Sequence, residues 1–310
     1  MIKMLVDRLL PKYSKRRLAA SLVLTLLARP SRFIRRLNPE NIFLHRQFSK
    51  IQSRCCICNS TGSLYFEMPD RKLRRDHAIG LLRESLLCKS CGSTCRQRTL
   101  VHVFLDVLRE RFDWKGSAAE NLTRQPSNVD IWDTDAFSPL SRILKSGEGC
   151  ILSKYLPEVT FGQELEPGVY NIDLQKISFE SNRFDVVLSS DIMEHVRADS
   201  AAHREIFRCL KPGGTYIFTV PYRENEARTL RLVDTSSSRD IFLTTPHYHG
   251  DPITGGILAY RIYGRELIDE LQAIGFHVRF LWLDLAAEGI FGGDCFVATK
   301  PKEFEAAVNN

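Results

Sequence analysis

"FDVVLSSDIMEHV" (184–196) and "REIFRCLKPGGTYIFTVP" (204–221) govern how the rest of the sequence is read. The first opens on an almost unbroken apolar run, the pattern of a strand buried on both faces. It ends in Ser189, Ser190 and Asp191, with His195 a few residues on. The second opens on a helix pattern that Pro212 stops, while Gly213 and Gly214 let the backbone reverse into another apolar strand.

Working outward, "VDIWD" (129–133), "CILSKY" (150–155), "RFLWLDLA" (279–286) and "DCFVATK" (294–300) read as further strands. "AAHREIFRCLK" (201–211) and "GRELIDELQAIG" (264–275) read as helices, the latter with Leu267, Leu271 and Ile274 on one face. Strands alternating with helices predict an α/β fold whose parallel sheet is covered on both faces. Ahead of it, "RTLVHVFLDVLRERF" steps apolar residues at Leu100, Phe104, Leu108 and Phe112, an amphipathic helix. The polar stretch 113–128 reads as a linker. The expected organisation is a basic lead (1–50), a cysteine module (51–98), a helical connector and linker (99–128), the α/β body (129–300) and a tail (301–310).

The pairing of 184–196 with 204–221 resembles class I S-adenosylmethionine-dependent methyltransferases, whose fourth and fifth strands carry that signature, and the resemblance extends over roughly 129–298. It implies a Rossmann-like sheet, mostly parallel with a final antiparallel strand, and S-adenosylmethionine across the carboxyl ends of the strands. It places Ser189, Ser190 and Asp191 beside the methyl donor, His195 in a segment that often faces substrate, and Asp173 at the adenine edge.

The loop after the first strand of this fold is usually an acidic residue followed by three spaced glycines. Here it is "DTDAFSP", with Asp133 at the acidic position and Asp135, Phe137 and Pro139 near the glycine positions. The second strand normally ends in an acid that accepts from the ribose hydroxyls, whereas "ILSKYL" offers Lys154, a donor only. "TD" and "SKY" resemble variants of a subgroup in which a cysteine-pair module precedes a body with "TE" and "SEY". That resemblance assigns Asp133, Thr134, Asp135 and Lys154 to the cofactor site, with Asp135 partly replacing the missing acceptor. Further on, "TTPHYHGDPITGGILAYRIYG" (244–264) concentrates His247, His249, Asp251 and several glycines where substrate loops are inserted. His249 and Asp251 are the candidate base and its orienter; the alternative is a loop held together by imidazole hydrogen bonds. His195 is a further catalytic candidate, set against a helix-capping role.

Six of the nine cysteines fall between Cys55 and Cys95. Cys55-x2-Cys58 and Cys88-x2-Cys91 are spaced to clamp a tetrahedral Zn²⁺ as four thiolates, a closed structural site of zinc-ribbon type. Cys56 and Cys95 are spare, and either is able to stand in for a ligand. Clustered cysteines without an export signal predict a reducing, cytoplasmic setting.

The net charge of +6 is uneven: residues 1–50 carry 12 Lys/Arg against two acids, and residues 101–310 carry 22 against 31. The longest apolar run of the lead, Leu18–Ala28, is too short to span a bilayer, which needs about 20 residues. The lead is read as a solvated, partly helical segment, with contact to an anionic membrane surface as the alternative. "RKLRRDH" (71–77) is basic but lacks interleaved aromatics, so nucleic acid is not the favoured partner. The methyltransferase resemblance implies methyl transfer to an oxygen or nitrogen of a small molecule or glycan precursor. The rivals are a catalytically inactive scaffold with a zinc docking module, and a nucleic-acid-binding or modifying protein.

Overall fold

The computed structural model describes residues 39–67, 80–116, 119, 128–145, 149–249 and 256–302. The chain divides into two compact units, the first comprising 1–102, 116–120 and 282–293, the second 103–115, 121–281 and 294–310. Residues 282–293, within the stretch 129–300, thus group with the cysteine segment. The apolar run Leu18–Ala28, the basic run 71–77 and the tail from 303 lie outside the described residues. Among the described residues no helix is long and apolar enough to cross a membrane.

The first unit holds helix α1 (Pro39–Phe48) and strands β1 (Gln52–Arg54) and β2 (Thr61–Phe66), then α2 (Gly80–Ser85) and β3 (Leu86–Cys88). The three strands pair antiparallel in the order β1-β2-β3. Helix α3 (Cys95–Phe112) follows. Its start is fixed by "TCRQ": Thr94 Oγ1 accepts the Gln97 amide at 3.2 Å, and the Gln97 side chain accepts the Thr94 amide at 3.1 Å. That reciprocal pair satisfies two amides that helix geometry leaves without partners. Leu64, Leu86, Cys95 and Ile290 form the unit's core. Arg98, fully buried, donates to the carbonyls of Leu86, Ser93 and Gly289 and so binds 282–293 to the cysteine segment.

In the second unit the chain forms β4 (Ile131–Asp133), a single turn α4 (Ser141–Leu144), β5 (Cys150–Lys154), β6 (Glu164–Glu166), β7 (Val169–Asn171) and β8 (Phe184–Ser190). Helix α5 (Asp199–Cys209) leads into β9 (Leu210–Thr219). Among its described residues, an insert at 222–263 contains three two-stranded ribbons, β10 (Leu230–Arg231) with β15 (Arg261–Ile262), β11 (Val233–Asp234) with β12 (Ile241–Phe242), and β13 (Tyr248–His249) with β14 (Ile257–Leu258). Helix α6 (Glu266–Ile274), stopped by Gly275 at φ 115°, precedes β16 (His277–Leu285) and β17 (Ile290–Thr299), of which residues 277–281 and 294–299 belong to this unit.

The large sheet runs β16-β17-β9-β8-β4-β5-β7-β6. Strands β7, β5, β4, β8 and β9 are parallel, and β17 is antiparallel to β9. The expected Rossmann-like architecture is therefore present, with β6 as an additional antiparallel edge. From β4 the chain first winds outward through β5 and β7, then returns to β8 on the other side of β4. This reversal opens a crevice beyond the carboxyl ends of β4 and β8, where open α/β sheets bind their ligands.

One boundary differs from the sequence expectation. The α5 helix ends at Cys209, ahead of Pro212, and "KPGG" is a bulge inside β9. Phe184 pairs with Leu210, but Val186 pairs with Thr215, so β9 carries surplus residues at this point. Lys300 explains the early stop: its Nζ donates to the carbonyls of Phe207 and Leu210 at 3.0 and 2.8 Å, satisfying acceptors at the helix end.

Candidate active site and cysteine cluster

The carboxyl ends of the parallel strands bring Asp133, Thr134 and Asp135 (β4), Lys154 (β5), Asp173 (β7), and Ser189, Ser190 and Asp191 (β8) to one end of the sheet. The glycine-free loop folds by side-chain substitution. Asp133 Oδ1 accepts the Asp135 amide at 3.0 Å, and Asp135 Oδ1 accepts the Phe137 amide at 2.8 Å. Two successive Asx turns do the work of a flexible loop. No residue of 133–139 has positive φ, so the backbone there makes no demand for glycine. Burial, then the neighbouring Asp135, push the Asp133 carboxyl well above the carboxylate range. The Thr134 hydroxyl is buried with no partner among the described residues, a polar atom at the strand tip awaiting one.

Asp191 occupies the left-handed region at φ 51°, directly after β8. Its amide donates to the Thr219 carbonyl at 3.0 Å, and the Thr219 hydroxyl donates to its carboxylate at 2.9 Å. Both strands flanking the site thus hold this residue in a conformation of the kind that clusters at functional sites. Asp173 accepts from the amide and side chain of Gln175 at 2.9 and 3.1 Å, which orders the loop after β7.

Lys154 is engaged rather than free: its Nζ lies 2.8 Å from Glu166 Oε1, and Lys145 holds the other oxygen at 2.6 Å. Those two lysines hold the Glu166 carboxyl down to about 2. Lys154 Nζ also sits 5.0 Å from the centre of the Phe137 ring, which is 71% exposed. Residue spacing gave no sign of Glu166, because the acid reaches this point through the β6–β7 hairpin. Asn171 was equally hidden. Fully buried, it donates to the carbonyls of Leu156 and Val159 and accepts the Leu156 amide, fixing the loop after β5.

His195 closes a short 3-10 turn (Met193–His195) after β8. Its Nδ1 lies 2.8 Å from the Leu258 carbonyl, an acceptor, so Nδ1 carries the proton and Nε2 the lone pair. Burial keeps its pKa below the ordinary histidine value, which leaves the ring neutral at pH 7. Glu194 Oε1 is 3.7 Å from Nε2 and fully buried. The insert is tied to this segment by Arg261, 2% exposed, which donates to the carbonyls of Met193, Val196 and Arg197 and pairs with Asp199 at 3.3 Å. The backbone of His249 pairs with Ile257 in the β13–β14 ribbon, while its side chain, and Asp251 altogether, lie outside the described residues.

In the first unit the sulfurs of Cys55, Cys58, Cys88 and Cys91 all lie within 4.8 Å of one another. Cys55–Cys91 and Cys58–Cys88 are each 3.8 Å apart. A tetrahedron with metal–sulfur bonds of about 2.3 Å has sulfur–sulfur edges of about 3.8 Å. The spare thiols are otherwise occupied. Cys56 Sγ donates to the Arg98 carbonyl at 3.3 Å, and Cys95 Sγ accepts the Phe291 amide at 3.3 Å. Hydrogen bonding within the cluster, that from Cys55 foremost, favours the thiolate form of Cys88.

Residues 154–218 match a protein family described as "Methyltransferase domain". Similar solved structures include an S-adenosylmethionine-dependent methyltransferase from Methanosarcina mazei, at 17% identity and TM-score 0.34, covering 57% of this chain and 95% of that one. A putative S-adenosylmethionine-dependent methyltransferase from Listeria monocytogenes is 15% identical at TM-score 0.37, over 60% and 99% of the two chains. The 1,6-didemethyltoxoflavin-N1-methyltransferase of Burkholderia thailandensis, solved with S-adenosylhomocysteine, is 14% identical at TM-score 0.34, over 66% and 88%. No curated protein matches the chain. The second unit has a Rossmann-like, mostly parallel sheet, and the part of it from 154 to 218 matches the methyltransferase domain model.

Proposed function

We propose that this protein is an S-adenosylmethionine-dependent methyltransferase that acts on an oxygen or nitrogen of a small molecule or glycan precursor, with a structural zinc ion in the cysteine cluster. The observation that carries the reading is the convergence of β4, β5, β7 and β8 ends at the chain-reversal point, with Asp191 held at φ 51° and the Thr134 hydroxyl buried without a partner. When bound, the cofactor supplies an electrophilic methyl on a cationic sulfur. The acids Asp135, Asp173 and Asp191 favour that cation electrostatically. Transfer is an in-line displacement, so the chain's main contribution is alignment of acceptor and donor. His195, neutral and fixed by Leu258, is the described group best suited to accept the acceptor's proton. His249 and Asp251 remain candidates for the same task from the insert.

One observation favours a second reading, a scaffold that has lost its cofactor. The Lys154–Glu166 pair occupies the end of β5, where the fold usually presents an unpaired acid to the ribose. Calorimetric titration with S-adenosylmethionine and S-adenosylhomocysteine separates the two. Saturable binding, weakened in Asp135→Ala because the Phe137 amide loses its acceptor, supports the enzyme. No binding by the wild type, with affinity appearing in Lys154→Glu, establishes the scaffold.

The metal is checked independently by elemental analysis. One zinc per chain is expected, lost on Cys88→Ser, while Cys56→Ser retains it because Cys56 serves the Arg98 carbonyl.

A further inference from the structure

A cavity of about 350 Å³ lies at the opposite end of the large sheet from the crevice. It is lined by Arg111, Gly213, His277, Arg279, Lys300 and Lys302, with aliphatic floor from Val107 and Val297. Thr215 and Thr299, which pair across β9 and β17, place it at the amino ends of the parallel strands. Thr219, which serves the crevice, is four residues further along β9, about 13 Å at 3.3 Å per residue. The fold's usual ligand position does not account for this cavity.

Its charge is one-sided. Glu110 is the single acid among the lining residues. Arg111 is held in place by neutral acceptors, the Thr215 hydroxyl and the Gly213 carbonyl, which leave three of its five donors unused, and the acid Asp185 acts on it through space. Arg279 and Lys302 make no ion pair or hydrogen bond among the described residues. Lys300 differs, since its ammonium is taken up by the Asn182 side chain and the carbonyls of Phe207 and Leu210. Gly213, at φ 79°, adds to the concavity. A Cβ there would stand 3.1 Å from Lys302 Cγ and 3.4 Å from Arg111 Nη2, so the absent side chain lets both cations approach the turn.

We propose that this cavity is a binding site for a small ligand bearing a phosphate or pyrophosphate group, separate from the cofactor crevice. The fixed guanidinium of Arg111 suits the planar, multi-oxygen edge of such an anion. The volume falls at the lower end of the range for small-molecule sites, roughly 300–1,000 Å³. The concave shape favours a compact anion over a polynucleotide backbone, which is tracked by an extended groove.

The test is calorimetric titration of the full-length protein with sodium pyrophosphate and with inorganic phosphate, in the wild type and in Arg279→Glu and Lys302→Glu. Both substitutions are at exposed positions, and circular dichroism verifies that the variants are folded. Saturable binding of pyrophosphate with one site per chain, weakened at least tenfold by each variant and unaffected by saturating S-adenosylhomocysteine, is the expected result. Absence of wild-type binding, binding indifferent to both variants, or displacement by S-adenosylhomocysteine overturns the proposal. So does variant-sensitive binding of a single-stranded RNA without any of pyrophosphate, which assigns the patch to a polymer instead. Cofactor binding is read in the same variants, so its failure is distinguishable from failure of the anion site.

Discussion

His203 shows how one side chain couples packing to pH. It is 1% exposed on α5, its ring centre 6.0 Å from that of Tyr216 and 5.8 Å from that of Phe218, and neither ring nitrogen has a hydrogen-bond partner among the described residues. Burial lowers its pKa to about 4, with Asp199 opposing. The unfolded chain, with an ordinary value of 6.5, takes up the proton first as pH falls. The contribution to stability is therefore complete above pH 6.5 and is lost progressively between 6.5 and 4, to a total of about 3 kcal/mol. Thermal melts across that window are expected to show the loss in the wild type and to lack it in His203→Leu. An unchanged pH slope in the variant would assign the titration to another group. The loop after β4 is explained by single side chains too. Asp133 and Asp135 each accept an amide two residues on, and this lets a sequence without glycine hold the strand-to-turn geometry.

At the scale of elements, the "KPGG" bulge carries the sharpest constraint. A Cβ on Gly214 would stand 2.8 Å from the Lys211 carbonyl and 3.0 Å from that of Phe184, both backbone atoms that cannot swing aside. Gly214→Ala is expected to cost about 1–3 kcal/mol by overpacking, measured as a lower urea midpoint at unchanged slope. A variant with the wild-type midpoint would mean that the bulge relaxes freely. The buried strands were legible from sequence because each is a short apolar run bounded by polar turns. β8 was expected at 184–190 and runs there. The helix at 201–211 was also expected, but its C-terminal boundary was not. Pro212 is a stop visible in sequence, whereas the Lys300 ammonium that ends the helix at Cys209 comes from just past β17, distant in sequence. The β6–β7 hairpin escaped for a similar reason. Glu164–Glu166 has no apolar alternation, and only pairing against β7 makes it a strand. The strand-tip acids and the cysteine spacing could be read locally. The Glu166 pairing, Asn171 and the Arg261 tie to 193–197 depend on contacts that no local pattern encodes.

For the whole molecule, the distribution of charge follows from topology. The parallel strands gather acids at their carboxyl ends and the cation-lined cavity at their amino ends, and the insert adds a second small core of Leu232, Val233, Ala259 and Ile262. The first unit is discontinuous in sequence, since its core needs Ile290 alongside Leu64, Leu86 and Cys95. Ile290→Ala is expected to cost about 2–4 kcal/mol, because the fully buried side chain leaves a cavity. It should also speed loss of the proposed zinc to a chelator. A release rate equal to wild type would mean that the cluster is indifferent to the packing beneath it.

That discontinuity has a consequence for biosynthesis. Cys95 and Phe291, which meet in this unit, are separated by 196 residues. At about 5–20 residues per second, the ribosome takes roughly 10–40 s to deliver the second after the first. Throughout that interval the nascent chain displays four thiols whose hydrophobic support is still untranslated. A metal ion captured early would have to supply the order that packing provides in the finished chain.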